Sequence, residues 1–181
     1  METVGANARR EGTVTQWAPK REASCEAYAL RQSRAELSSG VLIGSGMGGF
    51  IDGILFHQIL QWHNMLSTIR PPTDLVAMKY NMLWDGIFHA MMWCLTAFGI
   101  LRLWMAIGRG GGRSSGKTLS SGMLIGWGAF NFCEGLVDHQ ILGLHHVRPS
   151  SDQVWWDVAF LCSGIVLLLA GVALKRGGQG G

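Results

Sequence analysis

Four long apolar stretches are the feature that most constrains how this 181-residue chain can fold. They cover residues 40–62, 81–107, 120–144 and 154–174. Each is close to the ~20 residues that a helix needs to cross the hydrocarbon core of a bilayer. A soluble core can hold one such run, whereas four in succession indicate a membrane-spanning helical bundle. The composition agrees, because 48% of the residues are hydrophobic and only 15% are charged.

The charged residues concentrate at the N-terminus, which suggests a division of the chain into segments. Residues 1–37 have no sustained apolar period and no apolar core of a signal peptide, so we expect a largely disordered tail with room for a short helix around 23–37. The membrane domain follows at residues 38–175. It is interrupted by a basic, glycine-rich linker at 108–119 and followed by a tail at 176–181.

Basic residues in the connections predict the orientation of the spans. The linker contains Arg109, Arg113 and Lys117, and Lys175 and Arg176 follow the last span. By the positive-inside rule, both termini and the linker lie in the cytoplasm. The formal net charge of +3 is too small and too scattered to indicate a nucleic-acid partner. The lipid bilayer is therefore the expected partner, and a protein partner or a homo-oligomer stays open.

The chain contains an internal repeat. SSGVLIGSGMGGFIDGILFHQILQWH (38–63) matches SSGMLIGWGAFNFCEGLVDHQILGLH (120–145) at 14 of 26 positions, at a constant offset of 82 residues. The following spans also match, with WDGIF at 84–88 and WDVAF at 156–160. The sequence therefore predicts an all-α, four-transmembrane-helix bundle built from two parallel helical-hairpin repeats, at about residues 38–107 and 120–175.

The repeat places the ionisable residues of the spans at one depth, near the extracytoplasmic face. An ionisable side chain within a span costs a few kcal/mol, on the order of 3, so it normally faces the bundle interior and finds partners there. The layer contains all six histidines and five carboxylates: His57, His63, His89, His139, His145, His146, Asp52, Asp85, Glu134, Asp138 and Asp157.

Helical spacing indicates which of these side chains can act together. Asp85 and His89 share a face because they are four residues apart, and so do Glu134 and Asp138. His57 and His63 lie about 120° apart on an ideal helix, so they converge only if the helix ends or distorts before His63.

Imidazole and carboxylate ligands together suit zinc, iron, manganese or copper(II). We therefore predict a mono- or dinuclear metal site between the helices. The first-choice ligands are His57, His89 and His139. The carboxylates of Asp52, Asp85, Glu134 and Asp138 serve as ligands or orient them, and an outer rim is formed by His63, His145 and His146.

Three alternatives stay open at this stage. The polar layer is also compatible with a purely structural hydrogen-bond network. His57 and His139 are at equivalent repeat positions and would be the natural axial pair of a b-type haem. A metal-dependent enzyme would use Glu134 or Asp138 as base towards a metal-bound water and act on a lipid or interfacial substrate. The metal-site interpretation itself suggests metal handling or metalloprotein assembly.

The same segments carry a family resemblance. GFIDGILFHQILQWHNM, NMLWDGIFHAMMW and GWGAFNFCEGLVDHQILGLHHVR resemble the signature segments of the "domain of unknown function 2243" family of predicted bacterial membrane proteins. The resemblance covers residues 38–175 and implies a four-span protein of the bacterial inner membrane, without an assigned activity. In that family the first motif commonly ends in two histidines. Here the second position is Asn64, so His146 has no histidine counterpart in the first half.

Overall fold

The computed structural model describes residues 11–108 and 115–177, with side chains from residue 21 onwards. Within these residues the structure is all-helical. Two of the four α-helices continue into a π-helical turn. The elements are α1 (Glu11–Ile51) with the π-helical segment Asp52–Ile59, α2 (Leu75–Gly108), α3 (Gly116–Glu134) with the π-helical segment Gly135–Ile141, and α4 (Gln153–Gly177).

The start of α1 differs from the disordered tail that the sequence suggested. α1 begins at Glu11, so residues 11–37 are helical and the expected short helix at 23–37 is part of it. Residues 21–31 are exposed. The segment is rich in Ala, Arg, Glu and Gln, which favour helix, and it runs without a break into the first apolar stretch. The rest of the expected tail and most of the linker and C-terminal tail, at 1–10, 109–114 and 178–181, lie outside the described residues.

The helices pack in a simple order. α1 and α3 form the centre, α2 packs against α1, and α4 packs against α3. Glycines allow the two central backbones to touch. A Cβ atom on Gly44 would overlap the carbonyl of Met123, and one on Gly126 would overlap the carbonyl of Val41. Small residues at such contacts are typical of helix packing in membranes.

Within the described part of the chain, three helical segments are long and apolar enough to cross a membrane: Arg21–Ile59, Leu75–Gly108 and Gln153–Gly177. α3 is less apolar than α2 and α4, and its 19 residues include four glycines. The outer helices expose large apolar side chains, among them Trp93 on α2 and Leu169 on α4. Such surfaces suit a lipid environment, which agrees with a membrane protein.

The π-helical turns end both central helices at the level of the polar layer. The Leu60 amide bonds to the Leu55 carbonyl at 2.8 Å, and Leu142 makes the same bond to Val137 at 2.8 Å. π-Helical turns occur frequently at functional sites. The sequence analysis required such a distortion before His63, and the helix indeed changes geometry at Asp52 and ends at Ile59.

Each turn is followed by a residue with a left-handed backbone. Gln61 has a φ of 51° and Gly143 has a φ of 59°. This conformation reverses the chain direction, so the next residues return into the bundle. His63 and His145 are the second residues after these positions, and both are buried.

Candidate metal centre

Four buried imidazoles form the centre of the polar layer. The ring centroids of His57 and His63 are 4.5 Å apart, and those of His139 and His145 are 4.8 Å apart. The rings of His63 and His145 stack almost in parallel, at 4.5 Å and an interplanar angle of 5°. Every one of the four residues is at most 3% exposed.

The loops after the π-helical turns hold the two stacked histidines by an exchange of hydrogen bonds. His63 Nδ1 lies 2.8 Å from the Val147 carbonyl oxygen, and His145 Nδ1 lies 3.1 Å from the Met65 carbonyl oxygen. A carbonyl only accepts, so each Nδ1 must carry the proton and donate it. Each Nε2 of a neutral ring is then left with a lone pair that faces the interior of the cluster.

His57 is oriented by a carboxylate. Its Nδ1 lies 3.0 Å from Asp85 Oδ1. The same carboxylate accepts from the Asn64 side-chain amide and from the Met65 backbone amide, both at 2.8 Å. Asp85 therefore ties α2 to the first loop while it sets the rotation of the His57 ring.

Asp157 occupies the matching place in the second half. Its Oδ1 lies 3.4 Å from His139 Nδ1 and accepts from the Val147 amide at 3.0 Å. Its Oδ2 accepts from His146 Nδ1 at 2.7 Å. The sequence analysis placed Asp157 in the layer but left it out of the metal set. The pairing of WDGIF with WDVAF is the signal that could have given it the role of Asp85.

Two carboxylates face the imidazoles, and one of them, Asp52, lies within hydrogen-bonding distance of a ring nitrogen. Asp52 Oδ2 lies 3.1 Å from His57 Nε2, and Asp52 Oδ1 lies 4.0 Å from His63 Nε2. Glu134 Oε1 lies 3.8 Å from His145 Nε2. Both oxygens of each carboxylate, and the Nε2 atoms of all four histidines, lack a hydrogen-bond partner within the described residues. The cluster is thus rich in buried acceptors, and a proton on His57 Nε2 would supply the donor to Asp52.

In residues 21–108 and 115–177, no lysine or arginine lies within 4.0 Å of either carboxylate. Burial lowers the pKa of His63 to about 4 and that of His145 to about 3. These two loop histidines are therefore neutral at physiological pH, which is the form that binds metal ions.

The structure brings five of the ten expected residues together in two overlapping groups. The ligand atoms within each group lie within 4.8 Å of one another: His57, His63 and His145 in one, and Glu134, His139 and His145 in the other. Asp52 adjoins the first group. We expected His63 and His145 at an outer rim, but the structure buries them at the centre, because the chain turns back into the bundle.

Besides Asp52, four expected residues lie outside both groups. His89 Nδ1 bonds to the Asp85 carbonyl of its own helix at 2.7 Å. His146 bonds to Asp157 and is partly exposed. Asp138 is partly buried and lines a neighbouring groove. The remaining one, Asp85, contacts the cluster through His57.

An apolar groove runs beside the centre, between α2 and α3. Its volume is about 440 Å³. The walls are aromatic and aliphatic, and two carboxylates, Glu134 and Asp138, interrupt them. Glu134 therefore contributes both to the histidine cluster and to the wall of the groove.

The comparisons with known proteins identify a family. The family model described as "Predicted membrane protein (DUF2243)" matches residues 39–178. No curated protein and no solved structure gives a significant match. The family match confirms the resemblance seen in the sequence motifs and leaves the chemistry to be argued from the site. This chain belongs to the DUF2243 family of predicted membrane proteins.

Proposed function

We propose that this membrane protein holds a mono- or dinuclear transition-metal centre in its polar layer and serves in metal handling or metalloprotein assembly. The proposed ligands are the inward-facing Nε2 atoms of the four buried histidines and the two carboxylates that face them: His57, His63, His139, His145, Asp52 and Glu134. Asp85 orients His57 through a hydrogen bond to its Nδ1, and Asp157 Oδ1 lies 3.4 Å from His139 Nδ1.

The observation that carries this proposal is the convergence of buried acceptors. A structural hydrogen-bond network needs donors between its acceptors, and the Nε2 atoms of His63 and His145 have none within the described residues. A bound cation satisfies all of these lone pairs at once and neutralises the two carboxylates. In known metal sites, the second nitrogen of a ligating histidine commonly donates to a carboxylate or a backbone carbonyl. Such contacts hold His57, His63 and His145 here.

The chemistry of the donors favours zinc, iron, manganese or copper(II). Haem is the weaker alternative, because the stacked rings of His63 and His145 adjoin both members of the candidate axial pair. The ring centroids of His57 and His63 are 4.5 Å apart, and those of His139 and His145 are 4.8 Å apart. Carboxylates among the imidazoles also differ from the mostly apolar surroundings of a haem.

Elemental analysis of the detergent-purified protein tests the proposal. We expect one or two equivalents of a transition metal per chain and no Soret absorption. Changing His63 or His145 to alanine should remove most of the metal, because each deletes one ligand.

His89→Ala is the matched control, since His89 lies outside both groups of close ligand atoms, and it should retain the wild-type content. Size-exclusion chromatography establishes that each variant is folded. Wild-type protein that takes up none of the four metals, even after reconstitution with each, would overturn the proposal.

We further propose that α3 with its π-helical turn forms a fourth span. The two hairpins would then be parallel repeats in a bacterial inner membrane, with both termini in the cytoplasm. The support is the packing of α3 along α1, at Gly44 and Gly126, together with its bond from the Ser121 hydroxyl to the Gly171 carbonyl of α4 at 2.7 Å. Reporter fusions after residues 70, 112, 150 and 181 should report outside, inside, outside and inside. A different pattern would contradict this topology.

A metal-dependent enzyme is the second candidate function, and the groove is the observation that favours it. If Glu134 binds the metal, Asp138 is the carboxylate left to act as a base, because it lines the same groove and lies outside the ligand groups. Turnover of a lipid by the metal-loaded protein, lost in Asp138→Asn while metal content is unchanged, would support this candidate over simple metal handling.

A further inference from the structure

The groove beside the metal centre has an apolar body and a polar end. Trp84, Ile87 and Met91 of α2 form one wall, and Phe130 of α3 forms the other. Its volume of about 440 Å³ falls in the range of about 300–1,000 Å³ that is common for small-molecule sites. It lies among residues that face the surroundings of the bundle, since Met91 is 57% exposed.

The polar end consists of two carboxylates. Glu134 is only 6% exposed, and neither of its oxygens has a hydrogen-bond partner in the described residues. Asp138 lies one turn further along, also in the groove wall. An unpaired buried carboxylate is costly, so this end of the groove calls for a ligand that donates hydrogen bonds or brings a metal into contact with it.

Corresponding positions in the other half of the sequence are filled by aromatic rings. Subtracting the repeat offset of 82 places Phe56 at the position of Asp138 and Trp62 at that of Leu144. Phe56 and Trp62 stack at 5.4 Å, and Trp62 packs against Trp156 at 5.2 Å. These rings occupy, in the other half, the position that corresponds to the groove, which stays open between α2 and α3.

Arg148 strengthens this aromatic cover. Its guanidinium lies 5.3 Å from the ring centre of Trp62 and 5.7 Å from that of Trp156. Cation–π contacts of this kind hold aromatic rings in place. The substitutions between the halves therefore open the α2–α3 side and cover the opposite side.

We propose that the groove binds a hydroxyl-headed amphipath that enters from the bilayer between α2 and α3. Its chain lies along Trp84 and Met91, and its hydroxyl group donates to Asp138 and reaches Glu134 beside the metal centre. A carboxylate head is disfavoured by repulsion from these two acids, and an ammonium head by the bound metal. A hydroxyl group both donates to a carboxylate and offers an oxygen to a metal.

This inference rests on the proposed metal centre for the environment of the hydroxyl group, and the test reads binding and metal content separately. The protein in phosphatidylcholine nanodiscs is labelled with dodecanol that carries a photoreactive diazirine, and with the matching dodecane. Peptide mass spectrometry locates the adducts. We expect adducts on Met91 and Cys133, with a preference for the alcohol of about tenfold, as one hydrogen bond to a charged group provides.

Leu144→Trp places in the groove the ring that Trp62 provides in the other half. It should abolish labelling at Met91 and keep the wild-type metal content. Leu169→Trp, on the exposed face of α4, is the matched control and should change neither.

Three results would overturn the inference: equal labelling by the alkane, labels spread over α4, or labelling that persists in Leu144→Trp. Selective groove labelling of a protein that takes up no metal even after reconstitution would overturn the metal centre and leave the groove assignment standing.

Discussion

Replacing Asp85 by leucine removes the carboxylate that accepts hydrogen bonds from His57, Asn64 and the Met65 amide at 3.0, 2.8 and 2.8 Å. Leucine has a similar shape, so packing changes little. Hydrogen bonds in membrane proteins contribute about 0.6 to 1.7 kcal/mol each, and three of them give about 2–5 kcal/mol. We expect Asp85→Leu to lower the free energy of unfolding by this amount.

Asp85→Asn distinguishes the effect of this residue on metal binding from its effect on the stability of the fold. Both His57 and Met65 bond to Oδ1, which an asparagine can replace with its carbonyl oxygen. The stability loss should therefore be about 1 kcal/mol, roughly one hydrogen bond. The metal affinity should still fall by about 10- to 100-fold, because a neutral amide orients the His57 ring less firmly and makes it less basic.

Unfolding in mixed SDS and detergent micelles, followed by tryptophan fluorescence, measures the stability, and competition with a chelator measures the metal affinity. Asp152→Asn is the control, since Asp152 is exposed in the second loop, and it should leave both quantities unchanged. The reasoning fails if Asp85→Leu costs less than about 1 kcal/mol, below what three bonds provide. It also fails if Asp85→Asn binds metal as tightly as the wild type.

The same unfolding assay tests two features of the backbone. Gly44→Ala should lower the free energy of unfolding by about 1–3 kcal/mol because its Cβ would overlap the Met123 carbonyl. Gly86→Ala, whose Cβ would meet no atom within 4 Å, should be neutral or stabilise by up to about 1 kcal/mol. Equal effects of the two variants would contradict the close α1–α3 contact. Gly143→Ala, at a φ of 59°, should cost about 1–2 kcal/mol, and Gln61→Gly, at a φ of 51°, should gain stability; a loss in the second variant would contradict the backbone strain.

The sequence could predict which residues approach the site because helical spacing and the repeat are both regular. The offset of 82 residues pairs His57 with His139, and the structure places both in the cluster. Helical spacing also predicted that His57 could approach His63 only if the helix end was distorted. The type of distortion, a π-helical turn, has no counterpart in the apolar pattern and could not be predicted from it.

The contacts of the loop histidines could not be predicted from the sequence. His63 and His145 are held by each other's loop, through the carbonyls of Val147 and Met65. Such bonds depend on how two irregular segments cross, and no periodicity encodes that. His89 was predicted as a ligand because it shares a helix face with Asp85. Its Nδ1 instead bonds to a backbone carbonyl of its own helix, which helical spacing alone does not reveal.

The two halves keep the residues of the centre and change the residues of its walls, and this contrast bears on what the protein does. Asp85 and Asp157 make matching bonds to the loop amides of Met65 and Val147. A centre that only stored a metal would gain nothing from different surroundings on its two sides. Yet Asp138 lines an open groove, whereas its counterpart Phe56 lies in an aromatic stack in the other half. The groove beside the proposed centre would give it a direction of approach from the bilayer, as the delivery or chemistry of a membrane-soluble ligand requires.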